Sequence, residues 1–291
     1  MFAVLGALLF SMQARAAEFS FVVEGVEVQL LVTPELPAAG ADGVRRWVRR
    51  AIEAHVRYAG GFPVEAAYIA VRSMPGRGIY GGKAFATDPP VVNIQLGAGT
   101  TDSELSRDWV LVHELAHLAM PSLPRRYRWF EEGFAGYVEA MARLGAGMRP
   151  APDTWQALVR GVAQGSRFPG EGGLHGASRW GRVYWESTSV MLRIDVSAHQ
   201  LTGRGWQEIL ADWRRRGWDI SSEVSFETLV AAADEALGVR TVSEYTLRYG
   251  ERAGPQSMQE IWAALGVGRQ PGDGDIVASG VEADLRRSLY E

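Results

Sequence analysis

Between residues 18 and 33 the apolar positions alternate with polar ones. Val26, Val28 and Leu30 fall on one side of an extended chain and Glu27 and Gln29 on the other, which predicts one or two strands. The period then turns helical. Over 41–58, Val44, Trp47, Val48 and Ala51 share one face, and Arg45, Arg46, Arg49 and Arg50 share the other. This is an amphipathic helix with a solvated basic face, ended by Gly60-Gly61. Residues 64–71 and 91–96 read as strands, with a glycine-rich loop at 75–82 between them. Thr101 and Glu104 form a capping-box pair that opens a helix running to about 119, where Pro121 stops it. A loop at 120–128 with two prolines and three arginines leads to a helix over 130–144, closed by Gly145. From 153 to 266 the pattern is helical, broken by a glycine-rich stretch at 165–176, and Thr241 with Glu244 marks a second capping box. Beyond Gly272-Asp273-Gly274 the patterning weakens. Strands followed by helices predict an α+β fold: a mixed sheet with its helices over 18–148, then a mainly helical subdomain over 149–291.

Composition narrows the function classes. The 291 residues carry a formal net charge of −4, which argues against a nucleic-acid partner, since such surfaces need a clustered basic excess. The arginines at 45–50 and Arg214, Arg215 and Arg216 read as solvated helix faces. With no cysteine, neither a disulfide framework nor a thiolate metal site is available. Residues 2–10 are apolar, and Ala14-Arg15-Ala16 supplies a small-x-small cleavage pattern, so residues 1–17 read as a secretory signal although no basic residue precedes the apolar run. The expectation is an exported protein, periplasmic or secreted. No other segment is apolar enough to span a membrane.

The chemistry is concentrated at one place. His113-Glu114-Leu115-Ala116-His117 is an HExxH pattern inside a predicted helix. Histidines four residues apart lie on one helix face, one turn apart, and both can reach a single ion at about 2.0–2.1 Å. Glu114 sits about 100° round the helix, beside the ion, where it can take a proton from water. With five histidines in the whole chain, chance is a poor explanation. A catalytic zinc takes three protein ligands and keeps one position open. The run Trp129-Phe130-Glu131-Glu132-Gly133-Phe134-Ala135-Gly136-Tyr137 offers Glu131 and Glu132 as the third.

Here the chain resembles the gluzincin metallopeptidases, in particular the glycyl aminopeptidases and more distantly the aminopeptidase N family, which follow HExxH with a W-x-x-E-G-F-A-like helix. The resemblance covers about residues 105–268 and implies a zincin-like fold with one Zn2+ per chain, held by His113, His117 and Glu132. It implies Glu114 as general base, and Tyr184, in Val183-Tyr184-Trp185-Glu186-Ser187, as the hydrogen-bond donor to an oxyanion. The family usually has Lys-Gly where Glu186-Ser187 stands. Glu139, seven residues after Glu132, is placed to hydrogen-bond a ligand histidine. The aminopeptidase relatives grip the substrate's amino terminus with a Glu on an edge-strand loop, and Gly81-Gly82-Lys83-Ala84-Phe85 lacks one. The implied activity is hydrolysis of a peptide or protein substrate laid along an edge strand near 91–96. A zinc hydrolase for another bond, or a non-catalytic envelope protein with a relict site, stays open at this stage. Of the other histidines, His55 falls on a packed face, His175 lies in the glycine-rich loop, and His199 is expected at the surface. Trp206 and Trp213 read as core, and Trp180 and Trp185 as walls of a subsite around Tyr184.

Overall fold

The computed structural model describes residues 16–165, 172–252, 257–268 and 280–291. The apolar run and most of the cleavage pattern of the export signal (residues 1–15), part of the glycine-rich stretch (166–171), and Gly272-Asp273-Gly274 lie outside the described residues. Among the described residues no helix is long and apolar enough to cross a membrane.

Segment 18–33 is a hairpin of two strands, β1 (Ala17–Val23) and β2 (Val26–Thr33). Helix α1 (Gly40–Ala59) then crosses over to β3 (Ala66–Met74), which runs parallel to β2. Strands β4 (Ile79–Phe85) and β5 (Val91–Gly97) complete a five-stranded mixed sheet of order β1-β2-β3-β5-β4. Val28, Leu30, Ile69, Val71, Val92, Ile94 and Leu96 point to one face and are buried there with Val44, Trp47, Val48 and Ile52 of α1. Their alternating partners point the other way, as a sheet with one covered face requires.

Two expectations are corrected at the sheet edge. The segment at 75–82 is not all loop: β4 begins at Ile79, and its glycines are tolerated because β5 holds the backbone in an antiparallel ladder. Strand β5 is therefore interior, between β3 and β4, and the edge strand is β4. Alternation of polar and apolar residues reports which face a side chain takes, not whether the strand has one neighbour or two.

The capping box of Thr101 and Glu104 is present, but it opens only a short helix, α2 (Asp102–Leu105). The histidine-bearing helix α3 (Val110–Ala116) starts afresh, because the buried Asp108 carboxylate accepts the backbone N–H groups of Val110 at 2.8 Å and Leu111 at 3.0 Å. Helix α1 grips α3 at two points. Trp47 Nε1 donates to Asp108 at 2.9 Å, and the buried His55 hydrogen-bonds the Val112 carbonyl at 2.7 Å. His55 is thus a packed histidine, pushed down to about 4 chiefly by burial.

Helices α4 (Arg128–Gly145), α5 (Ala151–Gly165), α6 (Ser187–Thr202), α7 (Trp206–Arg215), α8 (Phe226–Leu237) and α9 (Thr241–Glu251) build the other half. Trp206 and Trp213 are fully buried there, packed with Phe134. Three local expectations change. His199 is not a surface residue: its side chain is 6% exposed, with Nδ1 3.2 Å from an oxygen of Asp195. Burial alone would push His199 down, but the hydrogen bond and charge of Asp195 outweigh it and hold it up. Helix α9 is capped not by its own box but by Asp234 of α8, whose carboxylate accepts from Val242 N at 2.8 Å. Arg214 is not merely solvated, since it donates to Ala59 O and Gly60 O and so satisfies the carbonyl end of α1.

Candidate active site

The three expected ligands come from two helices. His113 lies on α3, and His117 follows where the helix tightens to a 3-10 turn (His117–Ala119). Glu132 lies in the second turn of α4, which the loop with Pro121 and Pro124 brings back beside α3. One ligand atom from each of the three residues falls within 4.8 Å of the others, the sole such grouping of potential ligands among the described residues. His113 Nε2 stands 3.4 Å from Glu132 Oε2, and the two imidazole rings lie 5.0 Å apart at 83°. Burial, reinforced by His113, pushes His117 down to about 3, so its imidazole is neutral and able to offer a lone pair at neutral pH. Burial pushes Glu132 up, but the two imidazoles outweigh it and its carboxyl ends below the ordinary range.

Glu131 points elsewhere. Its carboxylate accepts the Leu123 backbone N–H at 2.8 Å, and burial, with Glu132 beside it, pushes it up to about 7. Neighbouring carboxylates are thereby driven apart, Glu132 held down among the imidazoles and Glu131 pushed up against the loop.

Glu114 is buried under β4. Burial raises its pKa, opposed first by His113 and then by the Ala84 backbone and the charge of Lys83. The strand crosses so closely that a Cβ at Gly82 would lie 2.5 Å from Glu114 Cγ and 2.8 Å from Ile94 Cδ1. A side chain at position 82 would displace one or the other. A cleft of about 810 Å³ opens over these groups, walled by β4 on one side and by Arg128, Glu131 and Glu132 on the other, with Trp109 and Trp180 at one end.

Tyr184 sits in a π-helical turn (Arg182–Glu186). Its ring stacks on His113 with centroids 5.5 Å apart and on Trp180 at 5.4 Å. The hydroxyl lies against α4, where a Cβ at Gly136 would come within 3.4 Å of it, on the far side of the ring stack from the cleft. Burial, then the charge of Glu139, raises its pKa well above the usual range. Glu139 is buried and takes a hydrogen bond from Arg143 Nη1 at 2.6 Å. No hydrogen bond joins it to His113, whose buried Nδ1 has no partner among the described residues. His175 is away from the cleft, accepting from Trp129 Nε1 at 3.0 Å. Trp180 is 55% exposed and lines the cleft, whereas Trp185 lies on the far side of Tyr184.

Sequence reasoning missed Asp108, Gly82 and Trp109. Asp108 carried a usable signal, an acidic residue two positions before the first helical one. Gly82 and Trp109 carried none, because their roles come from strand β4 and the Tyr184 turn closing over α3.

The fold is shared with solved zinc metallopeptidases. An aminopeptidase N family protein from Idiomarina loihiensis superposes with a TM-score of 0.67 at 12% identity, over 87% of this chain and 49% of that one. An M1 zinc metallopeptidase from Deinococcus radiodurans gives 0.53 at 17% identity, over 80% and 51%. A mutant of an M1 zinc metallopeptidase from Deinococcus radiodurans, bound to a Tyr-Ser-Ala substrate, gives 0.55 at 16% identity, over 83% and 53%. The chain thus spans about half the length of these structures, and at such identities the likeness is one of fold. No protein-family model matches the chain, and no curated protein matches it by sequence.

Proposed function

We propose that this chain is a zinc-dependent peptidase of the gluzincin type. The carrying observation is the grouping of His113, His117 and Glu132 with Glu114 beside them at the floor of an open cleft. The donor set fits the ion. Two imidazoles and a carboxylate are a catalytic zinc set, and two ligands about 2.1 Å from a tetrahedral ion stand roughly 3.4 Å apart, the spacing of His113 Nε2 and Glu132 Oε2 at 3.4 Å. The chemistry the ion supplies when bound is Lewis acidity, which acidifies water and polarises a carbonyl.

The remaining work falls to the chain's own residues. Glu114 receives the proton from the attacking water on a carboxylate oxygen and delivers it to the leaving nitrogen. Its burial raises its proton affinity toward the range a general base needs. The close crossing of the strand, where a Cβ at Gly82 would lie 2.5 Å from Glu114 Cγ, holds the side chain under β4. β4 pairs with β5 on one side only, so its outer edge can take a peptide as an added strand. Tyr184 holds the His113 ring by stacking, and the oxyanion role implied by resemblance would require its hydroxyl to swing from Gly136 into the cleft. Lys83 lines the cleft where an amino terminus would need a carboxylate, which favours cleavage within a chain over removal of its first residue. The link between His117 and Glu132 is slightly shorter than in the aminopeptidase N pattern, which favours a likeness to the glycyl aminopeptidases among the gluzincins.

Incubation with a peptide library, read by mass spectrometry, is expected to give internal cleavages that a chelator abolishes and zinc restores. A fully zinc-loaded chain that cuts no peptide would remove this reading. A second expectation follows from β4. Gly82→Val should lower hydrolysis on the order of 10²-fold, since a misplacement of about 1 Å costs that much, with zinc content unchanged. Unaltered rates would mean that Glu114 does not need the position it occupies here.

A further inference from the structure

A second cavity, of about 700 Å³, adjoins the cleft. Trp109 and Trp180 line both and are 42% and 55% exposed, so they form a lip between the two openings, with Tyr184 beneath them. The chamber behind that lip is cationic in a chain of net charge −4. Its walls carry Arg107, Arg143, Arg149 and Arg160 against the carboxylates of Glu139 and Asp153. Glu139 is already engaged by Arg143 at 2.6 Å. Arg143 is itself buried, gives Nη2 to the Arg107 carbonyl at 3.1 Å, and leaves a buried Nε with no partner. The Arg149 guanidinium makes no hydrogen bond or ion pair with any described residue. Burial, and then the neighbouring Arg143, lowers its pKa, against the opposing charges of Glu139 and Asp153.

Guanidinium groups gathered in one chamber are relieved by an anion, and their planar forks match a carboxylate. The apolar walls of Tyr184 and Trp185 suit the stem that carries it. We propose that this chamber is a specificity subsite for a carboxylate of the peptide substrate, reached over the Trp109–Trp180 lip by a chain whose scissile bond lies at His113 and His117. The inference rests on the peptidase reading for the identity of the ligand, but not for the charge of the chamber.

The test uses the zinc-loaded Glu114→Gln chain and three N-acetylated pentapeptides titrated by calorimetry. One is Ala-Ala-Glu-Ala-Ala amide, one is Ala-Ala-Gln-Ala-Ala with a free C-terminus, and one is Ala-Ala-Gln-Ala-Ala amide, which carries no carboxylate. At least one carboxylate peptide is expected to bind tenfold or more tightly than the neutral one, and which of the two does so tells a side-chain acid from a terminal one. Adding Arg149→Gln should bring that ratio toward one, Arg149→Lys should keep part of it, and Arg50→Gln on the solvent face of α1 should leave it alone. A ratio near one in the parent, or a ratio that survives Arg149→Gln, overturns the subsite. Cleavage of the same peptides by the chain with Glu114 intact is scored separately. Carboxylate preference in a zinc-loaded chain that also cuts nothing in the peptide library retains the chamber and removes the peptidase reading, and cleavage without preference does the reverse.

Discussion

Glu114→Gln is expected to keep one zinc ion per chain and to slow peptide hydrolysis by about 10²–10⁴-fold, the usual worth of a positioned general base. The substitution is chosen to remove one property only. Glutamine has the shape of glutamate and fits beneath Gly82 in the same way, so β4 keeps its place over α3. It cannot take a proton from water. The carboxylate it replaces is buried, with its pKa raised chiefly by that burial. Its protonation therefore sits higher than for a surface Glu, nearer to working pH, where a base combines the right charge state with adequate proton affinity. Rates, zinc by elemental analysis and the thermal unfolding midpoint would be measured side by side. Retained activity with zinc in place would show that the proton goes elsewhere. Lost zinc would show that the variant had disturbed the ligands and was no test of the base.

What could be read from the sequence divides along a physical line. The pairing of His113 with His117 was legible because it is local: helical geometry alone puts residues four apart on one face. The hairpin at 18–33, the amphipathic α1 and the helical second half were legible for the same reason, since period and burial go together within one element. Glu132 needed more. Spacing left Glu131 equal to it, and only the resemblance chose between them, whereas the structure separates them because one faces the histidines and the other the Leu123 backbone. Sheet order was not legible. β4 looked like a loop because Gly81 and Gly82 carry no pattern, and their purpose, letting the strand pass over Glu114, exists only in three dimensions. Likewise the arginines around the second chamber are scattered from Arg107 to Arg160, and no window of sequence gathers them. His199 was misjudged because its partner Asp195 lies four residues back on α6, and that pair is sealed by Trp206 and its neighbours.

Replacing both histidines, His113→Ala with His117→Ala, should have the largest effect of all: zinc falls from one per chain to none, and hydrolysis falls to background. Both must go, because either imidazole with Glu132 leaves two donors, enough to hold an ion weakly at high metal concentration. Glu132→Gln should be milder for that reason, with both histidines left in place. Activity alone would not separate loss of metal from loss of fold, since His113 is buried and its ring supports Tyr184. Stability supplies the second readout. A ligand that binds only the folded chain adds RT ln(1 + [L]/Kd), about 2.7 kcal/mol when free zinc is a hundred times Kd. Chelation should therefore lower the unfolding midpoint of the parent chain, while the double variant, if folded, should unfold at one midpoint with and without chelator. A parent that holds no zinc even after reconstitution, and whose midpoint ignores the metal, would leave His113, His117 and Glu132 as a buried polar cluster. The peptidase reading would go with it. A parent that gains stability from zinc while the variant does not would tie the ion to these three residues before any substrate is known.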